Sequence, residues 1–247
     1  DSTHVEVKAT DGSVQVLETS NIIIATGGKA REFPGLPFNG SSVIGSREAM
    51  VLPSQPSRMV IIGAGAIGVE FAYIYNAFGT EVTLVEMMPR LVPVEDDDIG
   101  DALKKSYSRQ GIKCLTDTKV VATEDAGDSV RVTIENSKGS EVIEADICLV
   151  AIGVIPVLPG GQLPEFTDRG WIQIGDRYET SMNGVYAIGD IAGPPWLAHT
   201  AMYEATQCVD GIFLPDVTPS RVGTFPGCTY CYPEIASVGK TERELQK

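Results

Sequence analysis

One stretch limits what this chain can fold into more than any other: Met-Val-Ile-Ile-Gly-Ala-Gly-Ala-Ile-Gly, residues 59–68. Met59 to Ile62 is a short apolar, β-rich run. Gly63, Gly65 and Gly68 follow in G-x-G-x-x-G spacing, a helical pattern runs from Ile67 to Phe78 and closes at Gly79, and a second apolar strand spans Glu81 to Val85. Strand, glycine turn, helix and strand in about 30 residues is the context that gives this spacing meaning. Gly63 permits the tight turn off the strand, Gly65 lets the backbone approach a diphosphate, and Gly68 lets the helix pack against the sheet. The diphosphate then rests on free N–H groups at the positive end of the helix dipole. Glu86 closes the second strand, where its carboxylate can accept hydrogen bonds from the 2′- and 3′-hydroxyls of an adenosine ribose. A 2′-phosphate would be repelled there, so NAD is favoured over NADP. The same glycines could serve a plain strand-to-helix turn, but helix, second strand and terminal acid in register decide for dinucleotide binding.

The rest of the chain extends this βαβ unit. Glu95 to Gln110 reads as a helix with acids in its first turns, Lys104, Lys105 and Arg109 toward its end, and Gly111 as its stop. Asp96, Asp97 and Asp98 read as a solvated helix start rather than a metal site. Ile112 to Leu115 reads as a third strand. From Lys119 the pattern alternates as an antiparallel meander, with turns at Gly127-Asp128 and Lys138-Gly139, and then returns to a buried strand, Ile147 to Ala151, ending at Gly153.

The N-terminal stretch repeats that construction: alternating runs around Asp11-Gly12, then Asn21-Ile-Ile-Ile-Ala-Thr-Gly-Gly28, a near copy of Asp146 to Gly153. Two copies of one nucleotide-binding design are expected, the first represented only by its closing meander and strand. The chain accordingly reads as an internal piece of a longer protein. A further alternating stretch, Trp171 to Asp190, is expected to end in a buried strand, Val185 to Ile188, with Asp190 placed to bind the hydroxyls of a second nucleotide or to cap the helix that follows.

Bulk properties exclude several function classes. The 247 residues carry a formal net charge of -14, which argues against nucleic acid or an anionic membrane surface as a general partner. There is no apolar run of membrane-spanning length. Five cysteines form a sparse, odd count suited to reduced thiols and a cytoplasmic setting.

Five motifs, "VIIGAGAIGVEFAYIYNAFGTEVTLVE", "IIIATGG", "LVAIG", "VYAIGDIAGPPWLAHTA" and "PGCTYCYPEIASVGKTE", occur in order along the whole chain. Together they resemble the flavin-dependent pyridine nucleotide-disulfide oxidoreductases, and Gly68 and Glu86 resemble the NAD-using, lipoamide branch. The resemblance implies an α/β, Rossmann-like three-layer fold with an antiparallel β-meander, one complete NAD domain and the C-terminal part of an FAD domain. It divides the chain into 1–45 (FAD domain, first segment), 46–154 (NAD domain), 155–220 (return segment of the FAD and central region) and 221–247 (start of a dimerisation domain). It places Gly63, Ala64, Gly65, Ala66, Ile67, Gly68, Glu70, Glu86, Val120 and Gly153 around NAD, with Glu70 near nicotinamide and flavin. It places Thr26, Gly27, Gly28, Asp190, Trp196, Leu197, Ala198 and His199 against FAD, a site incomplete in this chain. After "AIG" the family's frequent arginine and asparagine are replaced by Val154-Ile155-Pro156-Val157.

The resemblance also implies a homodimer and a dihydrolipoamide-bearing partner in a 2-oxo acid dehydrogenase complex. The family's redox pair, C-x-x-x-x-C, and its His–Glu pair have no match in this sequence. Cys228-Thr-Tyr-Cys231 would be redox-active in a thioredoxin-like setting, but it lacks a helix N-terminus and falls on an expected strand, so it reads as inert. Cys114, Cys148 and Cys208 read as core thiols, Tyr73 and Tyr75 as packing or solvent-facing residues, His199 as a flavin-side positioning group, and His4 as having no role. No catalytic and no metal-ligating residue is assigned. Three readings stay open: the NAD-binding part of a dihydrolipoamide-oxidising flavoenzyme, an inactive NAD-binding fragment, and a piece of a sibling NADH-dependent disulfide or mercuric reductase.

Overall fold

The computed structural model describes residues 1–32, 35–214, 216–221 and 223–246. The chain begins with β1 (His4–Lys8), β2 (Val14–Glu18), β3 (Ile22–Ile24), β4 (Gly28–Ala30), β5 (Val43–Ile44) and α1 (Ser46–Ala49). β6 (Arg58–Ile62), α2 (Ala66–Ala77), β7 (Glu81–Val85), α3 (Asp97–Gln110) and β8 (Lys113–Leu115) follow. Then come β9 (Lys119–Asp125), β10 (Val130–Asn136), β11 (Gly139–Ala145), β12 (Ile147–Val150), β13 (Val154–Pro156) and β14 (Val185–Ala187). A 3₁₀ turn (Gly189–Ala192), α4 (Ala198–Phe213), β15 (Pro226–Thr229), β16 (Ile235–Val238) and α5 (Glu242–Leu245) complete it. These elements group into two compact units, Asp1–Lys29 with Ile155–Phe225, and Ala30–Val154 with Pro226–Lys247.

The second unit is built on a five-stranded parallel sheet in the order β5-β12-β6-β7-β8. Its strands read as unbroken apolar runs because both faces are covered. Successive side chains point to opposite faces. Met59, Ile61, Val82, Leu84 and Leu149 pack with Val69, Ala72 and Tyr75 of α2 and with Leu103 and Tyr107 of α3. The intervening Val60, Ile62, Val85, Cys148 and Val150 pack with Val130, Val132 and Ile134 of the antiparallel meander β9–β10–β11. Helices, sheet and meander are the three layers of the expected α/β fold. Each fully buried Ile or Leu contributes roughly 2–3 kcal/mol. The β15–β16 hairpin joins the helix-side core through Cys231 and Ile235.

Helix ends differ slightly from the sequence reading. α2 begins at Ala66, one residue early, and α3 at Asp97, because Asp96 adopts extended backbone (φ -63°, ψ 151°) as its N-cap. Gly111 closes α3 in the left-handed region, as expected.

In the first unit β1 and β2 form a largely exposed hairpin, and β3 pairs in parallel with β14. Ile24, Ile172, Val185, Ala187 and Ile191 make its core. Two antiparallel strands, β1 and β2, precede β3 here, and three, β9 to β11, precede β12 in the second unit. In the alternating stretch after Trp171 the isolated bridges Phe166 to Ile172 and Glu179 to Tyr186 accompany β14, which stands where the buried strand Val185 to Ile188 was expected. Gly170 (φ 84°) and Tyr178 (φ 64°) turn the chain there, and fully buried Tyr178 is anchored by its hydroxyl, which donates to the Ser220 carbonyl at 3.0 Å. Among the described residues no helix is long and apolar enough to cross a membrane.

Candidate nucleotide-binding site

β7 and β8 lie to one side of β6, while β12 and β5 lie to the other, so the strand order reverses between β6 and β12. Such a switch point opens a crevice between the loops. The glycine loop fills this position, and its three glycines answer to three different neighbours. At Gly63 (φ 96°) a Cβ would lie 2.5 Å from the Ala151 carbonyl oxygen, so the loop leaves the strand hard against the end of β12. At Gly68 a Cβ would lie 1.8 Å from the Gly63 carbonyl oxygen, so the first turn of α2 folds directly onto the loop. At Gly65 a Cβ would meet nothing within 4 Å, although the backbone there is ordinary (φ -71°, ψ -176°). The fold itself therefore makes no demand for glycine at 65.

Gly65 is the N-cap of α2, and no side chain caps the helix. The N–H groups of Ala66, Ile67 and Gly68, in the first turn, have no partner within the helix. This is the donor set a diphosphate requires.

Glu86 closes the crevice on the β7 side and is 8% exposed. Its Oε2 accepts the Ala64 N–H at 2.7 Å, and its Oε1 accepts the Met88 N–H at 2.7 Å. Each oxygen keeps a further lone pair for a ribose hydroxyl. The backbone around it is held on both sides, since its N–H donates to the Leu115 carbonyl and the Thr118 N–H donates to its own carbonyl. The Ala64 carbonyl in turn accepts the Val92 N–H at 2.7 Å. Val92 was not legible as a site residue, because nothing in a sequence shows that a β-branched residue will stand at φ 43°.

Val120 lies on β9, in register with Ile134 of β10, with its side chain in the meander-side core. Gly153 (φ 117°) follows β12 with open space around it, and its carbonyl accepts the Arg31 N–H. Glu70, in the first turns of α2, is half-buried and accepts the Tyr230 N–H at 2.7 Å.

The remaining sequence candidates sit in the first unit. The Thr26 hydroxyl donates to the Val157 carbonyl at 2.5 Å, the Gly27 carbonyl (residue φ 71°) accepts the Val157 N–H, and Gly28 opens β4. Asp190 lies in the 3₁₀ turn, and the N-cap of α4 is Leu197, so Asp190 does not cap that helix. Its carboxylate has no hydrogen-bond or ion-pair partner among the described residues, and burial pushes its pKa up. Gly189, before it, is held by Glu204, whose Oε2 accepts the Gly189 N–H at 2.6 Å. Sequence reasoning missed Glu204, which lies deep in a helix with no motif around it. Trp196 stands with its ring 5.3 Å from that of Trp171, and Ala198 and His199 begin α4, with His199 exposed.

The two cysteines of C-x-x-C differ in setting and are not bonded to each other. Cys228 is exposed on β15, whereas Cys231 is buried against the helix-side core, its thiol donating to the Pro233 carbonyl. Burial also pushes the Cys231 thiol pKa up, which disfavours the thiolate a redox pair needs.

A profile of the pyridine nucleotide-disulphide oxidoreductases matches residues 1–205. The chain belongs to that family. The dihydrolipoyl dehydrogenase of Chlorobaculum tepidum is 40% identical over 243 residues, covering 96% of this chain and 52% of that protein. The leghemoglobin reductase of Glycine max is 37% identical, covering 98% of this chain and 47% of that one. The chain thus spans about half the length of these curated family members. The crystal structure of LpdA from Mycobacterium tuberculosis superposes with a TM-score of 0.88 at 26% identity, over 98% of this chain and 53% of LpdA. The flavoprotein disulfide reductase RclA of Escherichia coli, at 23% identity and a TM-score of 0.86, shares the fold over 99% of this chain and 56% of its own.

Proposed function

We propose that this chain is the NAD-binding portion of a flavoenzyme of the dihydrolipoyl dehydrogenase type, in which electrons pass from dihydrolipoamide through a redox disulfide and FAD to NAD⁺. The observation that carries the reading is Gly65: a residue with no steric need to be glycine, at an uncapped helix start, under open space, and one residue from the peptide that Glu86 holds. A diphosphate gives that combination a purpose.

NAD⁺, when bound, supplies a nicotinamide that accepts hydride. The residues here bind and orient it. The amides of Ala66, Ile67 and Gly68 would hold the diphosphate, Glu86 the adenosine ribose, and the backbone at Gly153 and Val120 the two ends of the molecule. Glu70 would lie on the nicotinamide side. Thr26 to Gly28, Asp190 and Trp196 to His199 would form one wall of the FAD site, with unpartnered Asp190 accepting from flavin-chain hydroxyls. The family's cysteine pair and His–Glu pair have no match in these residues, so the chain alone should bind NAD without oxidising dihydrolipoamide. The parent protein would act as a homodimer in the cytoplasm, on a lipoyl-bearing partner of a 2-oxo acid dehydrogenase complex.

Isothermal titration calorimetry tests the reading. NAD⁺ should bind at least about tenfold more tightly than NADP⁺, and Glu86→Ala should weaken NAD⁺ binding by about the same factor, or 1.4 kcal/mol. Equal affinity for the two nucleotides, or an unchanged Kd in Glu86→Ala, overturns it.

A further inference from the structure

The glycine loop is held from outside the crevice as well as within it. Ala64 is fully buried, and both of its peptide groups are taken: Glu86 accepts from its N–H, and Val92 donates to its carbonyl. The second contact depends on an unfavourable backbone. Val92 stands at φ 43°, a region that β-branched residues avoid, and such a conformation persists only where its surroundings impose it.

Part of that surrounding is local. The Val92 side chain is 2% exposed, and Arg90 pairs with Asp97 at 3.2 Å and with Asp101 at 3.3 Å. The rest comes from a segment some 150 residues away. Arg243, on the one-turn helix α5, donates to the carbonyls of Pro93 at 2.9 Å and Glu95 at 2.7 Å and pairs with Asp97. The Glu242 N–H donates to Asp96 at 2.8 Å, and the Ser237 hydroxyl to Glu95 at 3.1 Å. One guanidinium therefore spans this segment, Nη2 bonding the carbonyls of Pro93 and Glu95 and Nη1 pairing with Asp97, a planar two-pronged donor that lysine lacks.

We propose that Arg243 is a positioning residue for the dinucleotide: by fixing the 93–95 strap it keeps the Val92 amide on Ala64 and so holds the glycine loop in its diphosphate-ready shape. The side-chain bonds of Arg243 run to Pro93, Glu95 and Asp97, so it acts through the strap. This inference rests on the proposed binding of NAD at the glycine loop.

Calorimetry with NAD⁺ on the wild type, Arg243→Ala, Arg243→Lys and the control Asp146→Asn tests it. Asp146 serves as control because it supports the opposite, amino end of the same sheet. Arg243→Ala should raise the Kd by roughly three- to thirtyfold, Arg243→Lys should recover only part of the loss, and Asp146→Asn should lower the melting temperature with the Kd unchanged. Amide hydrogen exchange at Ala64 and Val92, read on the nucleotide-free protein, should quicken in Arg243→Ala. A wild type that binds NAD⁺ beside an Arg243→Ala variant that melts earlier but binds equally well overturns this inference and leaves the nucleotide site standing. A wild type that binds no NAD⁺ overturns both.

Discussion

Gly63, Gly65 and Gly68 are one motif in the sequence and three different constraints in space. The carbonyls of Ala151 and Gly63 exclude a side chain at the outer two, whereas nothing in the protein excludes one at Gly65. Two substitutions should therefore separate folding from binding. Gly68→Ala drives a methyl group into backbone and should destabilise the chain by about 1–3 kcal/mol, read from urea unfolding. Gly65→Val should leave the melting temperature within roughly 2 °C of wild type, because its backbone is unstrained and its surroundings are empty, yet weaken NAD⁺ binding more than tenfold. Full NAD⁺ affinity in Gly65→Val would reduce the loop to a structural turn. The positions of these residues were legible from spacing alone. The spacing also suggested a role for each, but not the atoms that enforce it: the Ala151 carbonyl against Gly63 lies far along the chain, and the Gly63 carbonyl meets Gly68 only once the helix folds back onto the loop.

Among the elements, β12 shows how a strand is recruited across that distance. Asp146 precedes it and accepts the N–H groups of Ser57 at 2.8 Å and Arg58 at 2.9 Å, with the Arg58 guanidinium at 3.2 Å. It thereby ties the start of β12 to the start of β6. Burial alone would raise its carboxyl pKa, but the bonds from the Arg58 backbone and side chain and from Ser57 outweigh it and hold the group below its ordinary 3.8. A depressed carboxylate contributes stability above its unfolded value and loses it as pH falls. Asp146→Asn should thus cost about 1 kcal/mol at neutral pH, a figure reduced for the partial exposure of the site. The gap from wild type should close as pH drops below 3.8. A gap that stays constant down to pH 2 would place the contribution in shape rather than charge. The pattern of apolar runs located β6, β7 and β12 nearly to the residue. It also located β14 where a buried strand was expected after Trp171, while the alternating residues before it form only isolated bridges among the described residues, with Tyr178 at positive φ between them.

For the whole molecule, cysteine chemistry offers a summary test of packing. Burial raises the thiol pKa of Cys148 to about 12 and those of Cys114 and Cys208 to about 11, and it also raises that of Cys231. Cys228 is the exposed one of the five. Brief alkylation of the native protein at pH 8, followed by mass spectrometry, should label Cys228 and spare the others until denaturant is added. Rapid labelling of Cys148 would contradict the close contact of meander and sheet.

Local order along the chain determined a great deal: the βαβ unit, its glycine loop, the acid that ends β7 and the family. These depend on short-range rules, since side-chain periodicity and backbone freedom are properties of neighbouring residues. The tertiary structure alone decided that Glu86 grips the glycine loop itself, that Val92 stands in a left-handed conformation to hold Ala64, and that Arg243 reaches back to the strap beside it. Each of these is a hydrogen bond closed across a long loop of chain, and its partner is selected by where the packed layers bring the backbone, which no local pattern records.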